Sequence, residues 1–210
     1  MLFDLDGVLV DSRAAIEQVW RDWAAARGRD WRPFLAVAHG RRTSETIRLV
    51  APELDAKAES RVLDAMEAVE TRGLVPFPGA GELLAALPPG TWAVVTSGSP
   101  PVAALRLRTA GIPAPPVFLT SRDVGRGKPD PEGYLAAAAA LGVEPAACVV
   151  VEDSPTGVAA GRAAGMRVVA VITTHPAEAL AGADLVIPAL AGLRVRAVGE
   201  GTLELACTPP

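Results

Sequence analysis

The sequence predicts an α/β protein with a doubly wound, mostly parallel sheet and a small all-helical segment inserted after its first strand. Two observations support this fold class. Short apolar, β-branched runs alternate along most of the chain with Ala- and Leu-rich segments of helical spacing, which is typical of parallel strands that helices bury on both faces. The alternation is interrupted once, over residues 13–75, where no strand-like run occurs. We therefore expect a Rossmann-like core that carries a helical insertion.

The elements of the core follow from this alternation, because Gly- and Pro-rich joints such as GIPAPP separate the runs. Strands are expected at residues 2–5, 92–96, 117–120 (the weakest), 148–151, 167–172 and 185–187. Helices of the core are expected at residues 79–87, 101–110, 132–142 and 156–165.

The insertion contains stretches of helical spacing, and in the first of them Trp20 and Trp23 belong to an apolar stripe. We expect both tryptophans to lie in the core of the insertion. The expected domains are a core of residues 1–12 and 76–210 and a helical cap of residues 13–75. The expected cap helices are residues 13–27, 43–51 and 55–71.

The tail, LRVRAVGEGTLELA, alternates apolar and polar residues around Gly-Glu-Gly. Alternation on both sides of a glycine-rich turn is typical of a β-hairpin. We expect a terminal hairpin on the edge of the sheet.

Composition limits the classes of partner. Half of the 210 residues are apolar, and the net charge of −4 is spread along the chain, so neither a nucleic-acid face nor a membrane patch is expected. No apolar run approaches the roughly 20 residues of a membrane span, and no basic segment precedes an apolar one at the N-terminus. With only two cysteines, we expect a soluble cytoplasmic protein, a monomer or weak homo-oligomer.

Two carboxylates stand close together at the end of the first strand. Asp4 and Asp6 flank Leu5, and Gly7 follows. Like charges at this spacing repel each other unless a positive charge lies between them. A simple turn would also explain an Asp-x-Asp-Gly sequence, so the pair becomes informative only together with the other strand ends.

Polar residues follow other strands of the expected sheet as well. Thr-Ser-Gly-Ser at residues 96–99 follows the strand WAVV, and Glu152-Asp153-Ser154 follows CVVV. Each stretch taken alone is also a good helix cap. Lys128 precedes Pro-Asp-Pro and is one of two lysines among 20 basic residues, which indicates a need for a compact ammonium group.

Ligands bind outside the carboxyl ends of parallel strands, so these segments are expected to meet. Asp4, Asp6 and Asp153 would offer hard oxygen ligands for Mg²⁺. Thr96 or Ser97, with backbone N–H groups of the following helix, can hold phosphate oxygens. Lys128 can neutralise charge on the attacking carboxylate and on the transferred group. Together they predict phosphoryl transfer through an aspartyl-phosphate.

The stretches FDLDGVLVDS, VVTSGS, GKPDPEGY and VVVEDSPTGVAAGRAAGM resemble the four motifs of the haloacid dehalogenase superfamily. The resemblance covers about residues 2–190. A helical cap inserted after the first strand is similar to the β-phosphoglucomutase and sugar-phosphatase branch. The superfamily's dehalogenases lack the second aspartate, so Asp6 favours a phosphate ester over a halide.

This resemblance implies a role for each motif residue. Asp4 would attack phosphorus, while Asp6 would protonate the leaving oxygen and then activate water. Thr96 would bind the phosphoryl group, together with Ser97 and Gly98, and Lys128 would steady it. Mg²⁺ would be held by Asp4, by the backbone carbonyl of Asp6 and by Asp153, with Glu152 nearby.

The cap would choose between hydrolysis and a mutase reaction. The mutases of this branch carry a histidine twelve residues after the nucleophile, where this chain has Ile16. Their cap loop has a lysine before its glycine and an arginine three residues after it, where this chain has His39 and Thr43. The expected function is therefore a Mg²⁺-dependent phosphatase of a small phosphorylated metabolite, of the sugar phosphate or glycerol phosphate class.

We expect His39, Gly40, Arg41 and Arg42 to contact the substrate, although a structural histidine and a solvated arginine pair would also explain this stretch. Cap closure about residues 10–13 and 75–79 would exclude water. A β-phosphoglucomutase-type mutase and a 2-phosphoglycolate phosphatase remain alternatives. A phospho-receiver domain is a remote, non-enzyme alternative, since such domains are shorter and place the acceptor aspartate after a middle strand.

Overall fold

A six-stranded parallel sheet forms the centre of the computed structural model, which describes residues 1–197 and 202–207. Every neighbouring pair in it is parallel, so the expected doubly wound α/β fold is confirmed. From one edge to the other the strands are β5 (Val117–Leu119), β4 (Ala93–Val95), β1 (Leu2–Phe3), β6 (Val149–Glu152), β7 (Arg167–Val171) and β8 (Leu185–Ile187).

Successive residues of each strand point to opposite faces of the sheet, and a helical layer covers each face. Phe3 belongs to the apolar cluster on one face, which includes residues of α5 (Ala80–Ala85) and α6 (Pro100–Thr109). Leu2 belongs to the cluster on the other face, with residues of α7 (Glu132–Leu141) and α8 (Pro155–Ala163). The sheet is therefore buried on both sides, which explains its continuous apolar runs.

Residues 13–75, here called the insert, contain no strand of this sheet. They form four helices where three were expected: α1 (Arg13–Ala25), α2 (Arg32–Ala38), α3 (Thr43–Val50) and α4 (Ala56–Glu67). The short helix α2 was missed because it has only two turns, and its Pro33 resembles a breaker although proline fits the first turn of a helix.

The insert has an apolar core of its own. Trp20 stacks on Phe34 of α2 with ring centroids 5.4 Å apart, and Trp23 meets the same ring edge-on at 5.0 Å. Both tryptophans are buried, as expected. These aromatic contacts hold α2 against α1, so tertiary packing stabilises a helix that the local sequence did not predict.

The two connections between the insert and the sheet pair with each other. Strand β2 (Val10–Asp11) runs antiparallel to β3 (Val75–Pro76). Neither strand was expected, because two residues are too few to show a periodicity. The division into a core of residues 1–12 and 76–210 and a cap of residues 13–75 stays a prediction.

The C-terminal hairpin forms, but its expected place on the sheet edge is wrong. Strands β9 (Leu193–Ala197) and β10 (Leu203–Cys207) make a separate antiparallel pair. One face of this pair packs on the cluster that contains α5, instead of adding hydrogen bonds to an edge strand. The Gly-Glu-Gly turn lies outside the described residues. The hairpin residues that join the cluster are Leu193, Val195, Leu203, Leu205 and Cys207.

Cys148 and Cys207 are both free thiols, and Cys148 is buried immediately before β6. In the part of the chain that the structure describes, no helix combines the length and the apolar character that a membrane crossing requires.

Candidate active site

Separate segments of the chain meet at the carboxyl-terminal edge of the sheet. Asp4 follows β1, and Thr96 follows β4, the neighbour of β1 on one side. Glu152 ends β6, the neighbour on the other side, and Asp153 comes next. Lys128 reaches this edge from the loop before α7 and contacts Asp4. A cavity between this edge and the insert is lined by both Asp4 and Asp6.

The ammonium group of Lys128 is the centre of a buried hydrogen-bond network. Its Nζ atom donates to Asp4 Oδ1 at 2.8 Å, to Glu152 Oε1 at 2.6 Å and to the carbonyl oxygen of Val95 at 3.2 Å. Lys128 is only 6 % exposed. Because all three N–H donors are used, the ammonium is held in one position beside Asp4.

Both carboxylate oxygens of Glu152 are engaged. Its Oε1 atom also accepts from the Tyr134 hydroxyl at 2.7 Å. Its Oε2 atom accepts from the N–H of Asp153 at 3.0 Å, and from the N–H and hydroxyl of Ser154 at 3.2 and 3.1 Å. These contacts leave Glu152 little capacity for a metal ion and favour it as the anchor of Lys128. Its place in a metal site stays a prediction.

Asp4, Glu152 and Asp153 form a crowded group of buried carboxylates, with one oxygen of each within 4.8 Å of the others. With all three carboxylates ionised, they and the Lys128 ammonium sum to a charge of −2. Among the described residues, Asp153 Oδ1 is buried without a hydrogen-bond partner. Buried charge without compensation is costly, and oxygen ligands of this kind suit Mg²⁺. The residues therefore fit a divalent cation at Asp4 and Asp153.

The pKa values follow from burial and from this excess of negative charge. Burial raises the pKa of Asp4 to about 7, although the Lys128 charge opposes the shift. Burial and the neighbouring carboxylates also raise the pKa of Asp153 well above its usual value. Burial alone would raise the pKa of Glu152, but the Lys128 charge and the hydrogen bonds from Lys128, Tyr134 and the Asp153 N–H together outweigh burial and lower that pKa. Glu152 is thus the carboxylate that stays ionised with Lys128, and Asp4 and Asp153 need further positive charge nearby.

Gly7 allows the first loop to pass close to Asp153. Its φ of +85° lies in the left-handed region, which glycine tolerates and other residues avoid. A Cβ atom at this position would lie 2.0 Å from Asp153 Oδ2. The glycine after the two aspartates therefore has a steric reason, since any side chain there would displace Asp153.

The chain is similar to known proteins over most of its length. A family model described as haloacid dehalogenase-like hydrolase matches residues 1–165. The chain belongs to this family of hydrolases. The resemblance carried by its four motifs is thereby confirmed.

Two relatives of this hydrolase are phosphatases by name. Hexitol phosphatase A of Escherichia coli (strain K12) is 45% identical over 199 residues, which cover 92% of each chain. Glycerol-1-phosphate phosphohydrolase 2 of Saccharomyces cerevisiae is 34% identical, over 97% of this chain and 87% of the yeast protein. A solved structure of a hydrolase from Pseudomonas syringae superposes with a TM-score of 0.80 at 26% identity, covering 90% of this chain and 93% of the other.

The predicted phosphate-binding residues of the hydrolase, Thr96, Ser97 and Gly98, all line the cavity. Thr96 Oγ1 accepts a hydrogen bond from the Gly98 N–H at 3.0 Å, which fixes the loop after β4. The Ser97 hydroxyl donates to the carbonyl oxygen of Gly40 at 2.9 Å. Ser97 therefore joins the sheet edge to the insert.

The predicted substrate-binding residues of the insert divide into two groups. His39, Gly40 and Arg41 line the cavity. The Arg42 guanidinium lies outside it and donates to the carbonyl oxygens of Val124 and Gly125, at 2.8 and 3.0 Å. The structure therefore does not bring Arg42 to the cavity, and substrate contact by all four residues stays a prediction.

His175, to which the sequence assigned no role, lies beside the acidic group. Its Nδ1 atom is 3.2 Å from the carbonyl oxygen of Asp153, and its ring centroid is 6.2 Å from that of His39. Burial and the nearby His175 lower the pKa of His39, so its imidazole is neutral near pH 7.

Three residues of the site were missed by the sequence analysis. Tyr134 holds Glu152, and Arg106 of α6 connects Asp6 with Glu67 of the insert. A signal existed for Arg106, because it continues the buried stripe of α6 that contains Val102 and Ala103. A charged residue in an apolar stripe indicates a buried partner.

Proposed function

We propose that this hydrolase is a Mg²⁺-dependent phosphatase of small phosphate monoesters that works through an aspartyl-phosphate on Asp4. The observation that carries the proposal is the buried Asp4 carboxylate, which the Lys128 ammonium holds at the cavity that Asp6 also lines. The candidate nucleophile and proton carrier thus converge on one cavity, and the charge partner contacts the nucleophile directly. Such convergence is what a two-step transfer through a covalent intermediate requires.

In the first step, an Asp4 carboxylate oxygen attacks phosphorus while the bond to the ester oxygen breaks, and Asp6 gives its proton to the leaving alcohol. In the second step, Asp6 takes a proton from water, the water oxygen attacks phosphorus, and the bond to Asp4 breaks. Inorganic phosphate leaves, and both aspartates return to their starting states. Thr96 and the loop after β4 orient the phosphoryl oxygens, and Lys128 offsets their charge.

Mg²⁺ is the expected cofactor, held by Asp4 and Asp153 and by the backbone carbonyl of Asp6. Bound there, it would compensate the excess negative charge of the carboxylates and polarise the phosphoryl group. The buried Oδ1 atom of Asp153, which has no hydrogen-bond partner among the described residues, supports this assignment.

The lining of the cavity supports a substrate that bears hydroxyl groups, such as a sugar phosphate, a sugar-alcohol phosphate or glycerol phosphate. Thr43, Thr46 and Glu67 contribute polar groups to it. Within the described part of the chain, Thr46 Oγ1 is buried without a partner, and such a hydroxyl favours a polar ligand. The names of the two relatives, which act on hexitol phosphates and on glycerol 1-phosphate, agree with this class.

We also propose that residues 13–75 act as a cap that closes over Asp4, and that the protein works in the cytoplasm as a monomer or weak homo-oligomer. The paired strands β2 and β3 support a hinge at the two connections. The two free thiols agree with a reducing compartment.

The test is Mg²⁺-dependent phosphate release from a panel of hexitol and hexose 6-phosphates, glycerol phosphates, 2-phosphoglycolate, nucleotides and β-glucose 1-phosphate. Turnover that disappears in Asp4→Asn and with chelator would support the proposal, and the ranking would name the substrate class. A preference for 2-phosphoglycolate would favour that alternative. Conversion of β-glucose 1-phosphate to glucose 6-phosphate without phosphate release would show a mutase. That result would contradict the expectation of hydrolysis drawn from Ile16, which lines the cavity. No reaction with any ester would overturn the proposal.

A further inference from the structure

Arg106 connects the predicted acid/base residue to the insert. Its Nη1 atom lies 2.5 Å from Asp6 Oδ2, and its Nη2 atom lies 2.5 Å from Glu67 Oε2. The three side chains are largely buried, with 5 % of Arg106, 16 % of Asp6 and 11 % of Glu67 exposed. A single guanidinium therefore bridges the loop after β1 and the last residue of α4.

The bridge holds one side of the Asp6 carboxylate and leaves the other free. Oδ2 is bound to Arg106, whereas Oδ1 is buried and has no hydrogen-bond partner among residues 1–197 and 202–207. Asp6, Arg106 and Glu67 all line the cavity that contains Asp4. A planar guanidinium fixes the plane of a bound carboxylate more strictly than a single charge could, so the contact sets the direction of Oδ1.

We propose that Arg106 is a positioning residue that aims the free oxygen of Asp6 at the reacting phosphoryl group, and that Glu67 anchors Arg106 from the insert. This inference rests on the proposed phosphatase function. Arg106 itself takes no part in bond making, since it acts through Asp6. Because Glu67 belongs to α4, Asp6 is fully oriented only while α4 lies against α6.

The contribution of Asp6 can be separated from that of Asp4 with 4-nitrophenyl phosphate. The 4-nitrophenolate leaving group of this ester departs without needing a proton, so phosphorylation of Asp4 depends little on Asp6 as an acid. Attack of water on the phosphoenzyme still needs Asp6 as a base. A variant with a misdirected Asp6 therefore releases one equivalent of 4-nitrophenolate quickly and then turns over slowly. Loss of the whole site would remove the first equivalent as well.

The experiment compares rapid-mixing traces of the wild type with those of Arg106→Ala, Arg106→Lys and Glu67→Gln. For Arg106→Ala we expect a retained first equivalent and a steady rate lower by about 100-fold, the smaller end of general acid–base contributions. KM should fall with kcat, because the phosphoenzyme accumulates. Arg106→Lys should recover part of the steady rate that Arg106→Ala loses, and Glu67→Gln should lower the steady rate less than Arg106→Ala does. Arg108→Ala, an exposed arginine on the same helix, is the matched control and should behave like the wild type.

Double variants test the order of action. If Glu67 acts through Arg106, Glu67→Gln lowers the rate no further once Arg106 is Ala. Additive losses, an unchanged rate in Arg106→Ala, or loss of the first equivalent together with the steady rate would each overturn the inference. A wild type that hydrolyses no ester would instead overturn the phosphatase proposal. In that case non-additive unfolding free energies of Asp6→Asn and Arg106→Ala would still support the bridge, and additive ones would overturn it.

Discussion

The ammonium nitrogen of Lys128 lies 2.8 Å from the carboxylate of Asp4, in a part of the molecule where both side chains are at most 6 % exposed. The same nitrogen binds Glu152, which Tyr134 and the start of α8 hold in turn. The candidate nucleophile is therefore fixed by a chain of buried contacts, and the stability of the fold and the readiness of the site depend on the same atoms.

Replacing Lys128 should damage stability as well as activity. Lys128→Met leaves Asp4 and Glu152 buried without their cation, and breaking a buried pair costs about 3–5 kcal/mol of unfolding free energy. Urea unfolding monitored by far-UV circular dichroism measures this. Lys57→Met changes the other lysine of the chain, which is exposed. The unfolding free energy of this variant should stay within about 0.5 kcal/mol of the wild-type value. Equal stability of the two variants would contradict the network.

Mg²⁺ should stabilise the protein through Asp153. At 100 times its dissociation constant, a cation that binds only the folded state adds about 2.7 kcal/mol, or roughly 5–10 °C in Tm for a chain of this size. Asp153→Asn should abolish this shift. It should also be more stable than the wild type in chelator, because burial and the neighbouring carboxylates penalise the ionised form of Asp153 and so raise its pKa, whereas the neutral amide of Asn carries no such penalty.

The matched control for that variant is Glu82→Gln, which removes an exposed carboxylate from α5. It should keep the full Mg²⁺-dependent rise in Tm, as followed by differential scanning fluorimetry. A rise in Asp153→Asn equal to that of the wild type would place the cation elsewhere.

Without metal, stability should fall between about pH 4 and pH 7 on account of Asp4. Its pKa of about 7 in the folded protein lies above the ordinary value of 3.8, so in this range the folded state binds more protons than the unfolded state. Stability then decreases as pH rises. The difference in unfolding free energy between wild type and Asp4→Asn in chelator isolates this effect. With Mg²⁺ the trend should reverse, because the cation binds ionised carboxylates. A flat difference in chelator would rule out the raised pKa.

Gly40 should matter for the contact between the insert and the sheet edge. Its φ is +78°, and a Cβ atom there would lie 2.2 Å from Ser154 Oγ. Gly40→Ala should therefore push the loop of His39 and Arg41 out of the cavity lining and lower kcat/KM at least tenfold, a size that small displacements at active sites readily produce.

Gly28 supplies the comparison for that substitution. It also has a positive φ, of +62°, but no atom lies within 4 Å of its Cβ position. Gly28→Ala should cost about 1–2 kcal/mol of stability from backbone strain while kcat/KM stays unchanged. If the two variants lost activity equally, strain rather than the contact with Ser154 would explain the effect.

The sheet and the motif positions could be predicted because both depend on local sequence. A strand buried on two faces is a continuous apolar run, and a ligand site at the strand ends follows from the parallel order. Helix α2 and strands β2 and β3 could not be predicted, since packing against Trp20 stabilises the helix and pairing between residues 64 and 66 positions apart stabilises the strands. The packing of strand β9 against α5 could not be predicted either, because an alternating apolar face does not specify which surface it covers.

The sequence by itself determined that Asp4, Asp6, Lys128 and Asp153 meet at one edge of the sheet, because chain order and strand direction dictate it. Only the tertiary structure decided what surrounds them. The bridge from Asp6 through Arg106 to Glu67 joins residues 100 and 39 positions apart, and no local pattern encodes which buried charges will pair. Such pairing depends on the distances that packing leaves between helices, so it becomes visible only when α4, α6 and the first loop are seen together.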